Sequence, residues 1–163
     1  IREALIELAR DGLLDNSPNR GFLIPPFSVV EAAEIYPLMW ALETLALRSA
    51  PPSPAQLEKL VEINTAYTVA EETKLADLDV QWHVELLRGC TNTTLLETID
   101  QLRWRIRRYE IDYLRHSRWS AQAPVQHHAM VLALRRGDLD RTAELLELNW
   151  KQGLELVTTN LQK

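Results

Sequence analysis

An all-α fold, an antiparallel bundle of six helices, is what this sequence predicts, and three features carry the prediction. From Ser28 onward the apolar residues recur at three- and four-residue spacing. That stretch is divided by residues that start or stop helices: Pro51-Pro52, Gly89, Asn92, Pro124 and Gly137-Asp138. Signals for extended chain are confined to the segment ahead of Pro25-Pro26. Six helices joined by short loops pack as an antiparallel bundle.

The first 26 residues read differently. Ile1, Ala4, Leu5 and Leu8 form the stripe of a short helix that reaches about Arg10, and Gly12 is placed to end it. Two extended runs, Leu13-Leu14 and Phe22-Leu23-Ile24, flank the turn-rich Asn16-Ser17-Pro18-Asn19-Arg20-Gly21, which spells a small β-hairpin. Pro25-Pro26 is a stiff linker, so the expected boundary falls between residues 1–26 and 27–163. Ile1 is not Met and already lies in a helical pattern, so the start looks like a cut with part of a domain missing.

Ser28 and Glu31 have the spacing of a capping box and open a helical turn. Pro37 fits the first turn of the main helix, which runs to about Ala50; otherwise it kinks that helix. Ser53, Pro54 and Gln56 start a second helix, expected to reach about Glu72. The third spans about Lys74–Arg88 and stops at Gly89. Asn92 caps a long fourth, about Thr93–Arg118, and Pro124 sits near the start of a fifth. Asp138 caps a sixth that runs to about Leu161.

Composition bounds the function. A chain of 163 residues, 46% hydrophobic and 25% charged, is globular rather than disordered. Its formal net charge of −5 argues against a nucleic-acid binder over the whole length, though not against a small basic segment. The single cysteine, Cys90, forms no internal disulfide. No signal peptide is visible and no apolar run approaches the roughly 18 residues of a membrane span, so the expectation is a cytoplasmic protein without a membrane partner.

The informative residues are polar ones on apolar faces. In the third helix, Leu75, Leu78, Trp82, Leu86 and Cys90 share one arc, and Asp79 and His83 fall inside it, stacked four residues apart. Asp77, Gln81, Glu85 and Arg88 are expected to face water. A carboxylate buried alone is costly, so Asp79 must be paired or bound to a cation. In the fifth helix His127 is central to the arc of Met130, Val131 and Leu134, while His128 lies on its flank. In the sixth, Asn149 sits between Leu145, Leu146, Gly153 and Leu156. One Asp and two His from different helices suit a divalent metal with open positions, or else a hydrogen-bond network around water. Arg103, among Leu96, Ile99 and Ile106, either receives an anionic ligand or pairs with Glu110. Arg105, Arg107, Arg108, Arg115 and Arg118 spread around their helix as a solvated face. Met39, Trp82 and Trp150 are large enough to wall a ligand cavity.

These residues resemble the GntR family of bacterial transcription regulators, in its FadR-type branch. The match runs through Ile1-Arg2-Glu3-Ala4-Leu5, Asp11-Gly12-Leu13 and Asn19-Arg20-Gly21-Phe22, then Leu42-Glu43, Asp79 and His83, Gly89 to Asn92, His127 and Gly137-Asp138. The resemblance implies that residues 1–26 are the end of a recognition helix and the wing of a winged helix-turn-helix. Residues 27–163 would then be the helical effector-binding and dimerisation domain, six helices pointing to the VanR-like subgroup. It further implies that Asp79, His83 and His127 are three of four ligands to a divalent metal such as zinc, nickel or manganese. Asn149 stands where the fourth ligand, a His, is expected, and Met39 where members often carry an Arg. Asn149 would then hydrogen-bond the effector, a small organic acid, directly. Arg2 corresponds to a contact in the major groove of operator DNA, and Arg20 with Gly21 to the wing at the minor groove.

The leading expectation is a homodimeric, ligand-responsive transcription regulator seen mainly as its sensor half. These residues alone, lacking the preceding helices, are not expected to bind DNA specifically. A metal-dependent helical-bundle enzyme is the alternative, although the sequence offers no further inward carboxylate to complete a mechanism. A dimerisation module without ligand is the third.

Overall fold

The computed structural model describes residues 1–10, 12–18, 20–114 and 119–161, and their side chains outside 110–121. In chain order it contains α1 (Arg2–Arg10), β1 (Asp15–Ser17), β2 (Gly21–Leu23), α2 (Val29–Ser49), α3 (Pro54–Val69), α4 (Glu72–Leu86), α5 (Thr93–Leu114), α6 (Trp119–Arg135) and α7 (Leu139–Leu161). The expected all-α bundle of six helices is therefore present as α2–α7. Among the described residues no helix is long and apolar enough to cross a membrane.

Helix starts follow the capping chemistry. The Ser28 side chain accepts from Glu31 N, and Ser53 and Gln56 complete a reciprocal capping box with Pro54 in the first turn. Asn92 Oδ1 accepts from Leu95 N at 3.1 Å, and Asp138 Oδ1 from Arg141 N at 2.9 Å. Gly137 leaves α6 at φ +71°, a left-handed value that a side chain resists. Pro37 lies well inside α2, the alternative to a first-turn position, and Pro124 lies in the second turn of α6. Each removes one amide donor from a helix otherwise held by tertiary burial. The hairpin pairs Asn16 with Phe22 and Ser17 with Gly21, so its first strand lies just beyond the predicted Leu13-Leu14.

Packing contacts close the six helices into a ring. Helix α2 packs on α7, α7 on α6, α6 on α3, α3 on α4, α4 on α5, and α5 back on α2. The buried residues of α2 (Ala32, Ile35, Tyr36, Met39, Glu43, Ala46 and Leu47) trace one helical stripe facing this interior. Helix α4, flanked by α3 and α5, is buried over a wider arc than predicted, and Glu85 lies buried with Arg88 Nη2 at 2.7 Å. Gly153 permits the close approach of α7 to α2: a Cβ there would sit 3.2 Å from Tyr36 Cε1.

The arginines of α5 are less solvated than expected. Arg105 donates to Glu31 Oε1 through Nε at 3.0 Å and Nη2 at 2.8 Å, while Arg108 and Tyr109 converge on Glu31 Oε2. Arg107 pairs with Asp77. Arg108 Nη1 also reaches the Pro25 carbonyl at 3.1 Å, and Arg105 lies against Gly12. These contacts fasten the N-terminal segment to the bundle. Arg115 and Arg118 lie outside the described residues.

Two outcomes follow for stability. Replacing Gly153 by Val is expected to cost about 1–3 kcal/mol by overpacking against Tyr36. Gly153→Ala should stay within about 1 kcal/mol of wild type, because the gain in helix propensity offsets the strain. Chemical denaturation reads both, and a Val variant as stable as wild type would contradict the close approach. Burial alone would raise the Glu31 carboxyl, but hydrogen bonds from Tyr109 and Arg105 and the charges of Arg108 and Arg105 hold it below its ordinary 4.5. A depressed carboxyl adds stability above its unfolded value and loses it as pH falls through the folded one. The melting temperature of wild type should therefore drop below about pH 4.5 more steeply than that of Glu31→Gln; parallel curves would refute the assignment.

Candidate functional site

Every helix of the ring sends a polar or aromatic side chain toward one interior cluster. Helix α4 supplies Asp79, Trp82 and His83; α6 supplies His127; α7 supplies Trp150; α2 supplies Glu43; α5 supplies Arg103; α3 supplies Tyr67. All eight are buried. Asp79 and His83 meet because α4 returns to the same face after four residues. His127 is held by stacking: its ring lies parallel to Trp82 at 3.9 Å between centroids, with the Tyr67 ring edge-on at 6.4 Å.

Glu43 is the residue that the sequence reading missed as an interior group. It appeared there only within the Leu42-Glu43 likeness, and the expectation of no further inward carboxylate is incorrect. Its position on the stripe of Tyr36, Met39, Ala46 and Leu47 is the signal that would have found it, the same test that isolates Asp79. Three donors answer it. His83 Nδ1 lies 2.8 Å and Trp150 Nε1 2.9 Å from Oε2, and Arg103 Nη2 lies 3.0 Å from Oε1. Burial would raise its carboxyl, but His83, Arg103 and Trp150 together hold it below its ordinary 4.5. An ionised carboxylate only accepts hydrogen bonds, so the proton between them belongs to His83 Nδ1.

The other half of the cluster is poorly satisfied. His83 Nε2 lies 3.9 Å from Asp79 Oδ2, and His127 Nε2 lies 3.5 Å from Asp79 Oδ1; neither is a hydrogen bond. Asp79 Oδ1, His83 Nε2 and both His127 nitrogens are buried without a hydrogen-bond partner among the described residues. A self-satisfying local Asp79–His83 pair is therefore not what forms. Burial raises the Asp79 carboxyl, and the charge of Glu43 adds to this against the pull of His83 and Arg103. For His83, burial lowers the ring but Glu43 and Asp79 outweigh it, and the value lies above 6.5. Burial and the charge of His83 push His127 well below 6.5, so its ring is neutral.

One ligand atom from each of Asp79, His83 and His127 lies within 4.8 Å of the others. A carboxylate oxygen and two imidazole nitrogens match the preferences of zinc, nickel or manganese. The unpartnered atoms are the ones such an ion would engage, so these residues fit a divalent metal. They could hold it by three protein ligands, leaving positions for exogenous ones.

The remaining predicted site residues are distributed as follows. Asn149 is buried, and its Nδ2 donates to Gln126 Oε1 at 2.8 Å; Gln126 donates in turn to Gln152. Met39 is fully buried in the core. Arg103 is committed to Glu43 and, through Nη1, to Asp100 at 2.6 Å; the Glu110 side chain expected to pair with it lies outside the described residues. His128 is exposed, as expected. Arg2, Arg20 and Gly21 are exposed on α1 and the hairpin, on the N-terminal segment and apart from the cluster. Two grooves flank the outer side of α4. One of about 530 Å³ runs between α3 and α4 past Lys59, Glu62, Gln81 and Arg88; one of about 170 Å³, between α4 and α5, is lined by Val84, Trp104 and Arg107.

The family profile of the FCD domain matches residues 34–149, from α2 to α7. Comparison with curated proteins gave no match. Among solved structures, a GntR family transcriptional regulator from Pseudomonas syringae pv. tomato str. DC3000 aligns over 99% of this chain and 69% of its own, with TM-score 0.72 and 22% identity. Escherichia coli McbR/YncC aligns over 98% of this chain and 84% of its own, with TM-score 0.85 and 21% identity. Lar, which controls expression of the Listeria monocytogenes agr system, aligns over 97% and 78%, with TM-score 0.74 and 9% identity. Identities at this level establish a shared fold, while the profile match spans most of the chain. The chain belongs to the FCD-domain family, on the fold found in GntR-type transcriptional regulators.

Proposed function

We propose that this chain is the sensing half of a GntR-type transcription regulator. In this reading Asp79, His83 and His127 hold a divalent metal and a small organic acid binds beside it. The observation that carries the reading is the set of unpartnered, buried ligand atoms gathered from α4 and α6. Each such atom costs about 1–3 kcal/mol while unpartnered, a cost that a bound ion removes. A bound ion supplies positive charge and open coordination positions. Of the cluster's carboxylates, Glu43 is paired with Arg103 and Asp79 is not hydrogen-bonded to a cation, so a divalent ion at Asp79 carries charge in excess of that carboxylate, which an acid ligand offsets. In this reading Asn149, buried on α7, orients that ligand. Residues 1–26 act as the end of a recognition helix and a wing, with Arg2 and Arg20 on operator DNA, and two copies of residues 27–163 pair as the dimer. Effector binding then biases the dimer between arrangements of its DNA-reading heads.

An enzyme is the weaker reading. Glu43 does provide a second interior carboxylate, but both of its oxygens are occupied by donors and its charge is held by Arg103. It is not free to act as a general base.

Three measurements test the proposal. Zinc added to metal-stripped protein should raise the melting temperature with increasing concentration, and an organic acid should raise it further only when zinc is present. Asp79→Asn should abolish the zinc response while leaving the metal-free protein at least as stable as wild type, because it removes a buried carboxylate whose Oδ1 has no hydrogen-bond partner. A full zinc response in that variant would sink the assignment. The pH dependence has a defined sign. Asp79 and His83 both hold protons more tightly than usual in the metal-free fold, and each proton competes with the ion. His127 is already neutral. Zinc affinity should thus increase as pH rises through and above 6.5, and calorimetric titrations that showed it falling would contradict this.

A further inference from the structure

We infer that Glu43 is a positioning residue for the metal cluster: it sets the proton and the aim of His83 from the side opposite the ion. The inference rests on the proposed metal reading and adds to it a role for a residue that is not a ligand. Three observations converge on it. Glu43 Oε2 lies 2.8 Å from His83 Nδ1, which requires the Nδ1–H form and leaves the Nε2 lone pair facing Asp79, 3.9 Å away. The same carboxylate is immobilised by Trp150 Nε1 on its Oε2 and by Arg103 Nη2 on its Oε1, so its direction is fixed by two other helices. Finally, His83 Nε2 itself has no hydrogen-bond partner among the described residues, so no hydrogen bond on the cluster side fixes the ring's tautomer.

A purely structural account of Glu43 meets an energetic difficulty. A fully buried carboxylate with its cation is often matched or bettered in stability by apolar side chains of similar volume. The stripe around it on α2 is apolar, and Leu at this position would complete it. What an apolar residue does not do is choose between the two imidazole tautomers. With the proton on Nε2, the cluster would lose one of its two nitrogen ligands. The negative charge also makes the ring a stronger donor toward a metal, the effect expected of a carboxylate behind a ligating histidine.

The test combines two readouts on the whole chain. In metal-free wild type, histidine nitrogen NMR at a pH where the His83 ring is neutral should place its proton on Nδ1. A proton on Nε2 overturns the inference without any variant. Calorimetric titration with zinc alone should then show affinity roughly 10–100-fold weaker in Glu43→Gln than in wild type, with circular dichroism confirming a helical, cooperatively melting variant. Equal affinity in a folded Glu43→Gln overturns the inference and leaves the metal reading standing. If wild type takes up no zinc, the metal reading fails instead, and the tautomer measurement alone decides what Glu43 does to His83.

Discussion

A carboxylate sealed in the middle of six helices has to be met by donors, and the way Glu43 is met organises the rest of this bundle. Its charge cannot be solvated, so each oxygen must find hydrogen bonds inside the protein. The donors come from α4, α5 and α7, three helices that are distant in sequence. Satisfying one group therefore fixes the relative placement of four helices, and the ring order of the bundle is the arrangement that brings them to α2. Apolar burial supplies the bulk of the driving force, but it is non-directional. The directional information at the centre lies in these bonds.

The two halves of the interior cluster are treated differently, and the contrast carries meaning. Around Glu43 every hydrogen-bond demand is answered, and its carboxyl is held low. Around Asp79 the demands are left open, with its carboxyl held high and the His127 nitrogens without partners. Both groups are buried in the same ring, so a difference in solvent access does not account for this. The satisfied half is a fixed scaffold that locks His83 in place; the unsatisfied half is where the proposed ion would bind. Unanswered buried polar atoms of this kind cost stability unless a ligand engages them.

Much of this was legible before any coordinates. Helix starts followed from Ser28, Ser53, Asn92 and Asp138, because capping is local chemistry between neighbours three residues apart. Asp79, His83 and His127 were legible because a titratable group on an apolar arc stands out by period alone. Glu43 is open to the same test, since it lies on the stripe of Tyr36, Met39, Ala46 and Leu47. Partner choice was less accessible. For Arg103 the pattern offers an anionic ligand or Glu110, two turns along the same helix, whereas the side chain reaches across to Glu43 and back to Asp100, a selection made by tertiary geometry. Glu85 and the α5 arginines were misplaced toward water for a related reason: an amphipathic pattern assumes one buried face, and a helix flanked on both sides within a ring buries more. Pro37 and Pro124 violate a local rule that tertiary burial overrides.

The ionic contacts also explain how the N-terminal segment is joined to the interior. Helices α2 and α5 are tied twice: by Glu43 with Arg103 inside the ring, and by Glu31 with Arg105 and Arg108 toward its edge. The second joint continues to the Pro25 carbonyl and to Gly12, and so to the linker and to the turn that ends α1. Both joints use the same two helices, and close-packed interiors do not deform continuously. A displacement of α5 that loosens Arg103 from Glu43 must then be taken up at Glu31 or passed on to the linker. Exposed ion pairs would absorb such a shift at little cost, because solvent replaces them. The Glu31 joint is partly buried and shared among three donors, so it is less readily replaced by solvent than a fully exposed pair. The contacts that connect the helices of the cluster to the linker and the turn after α1 are thus paired charges on α2 and α5.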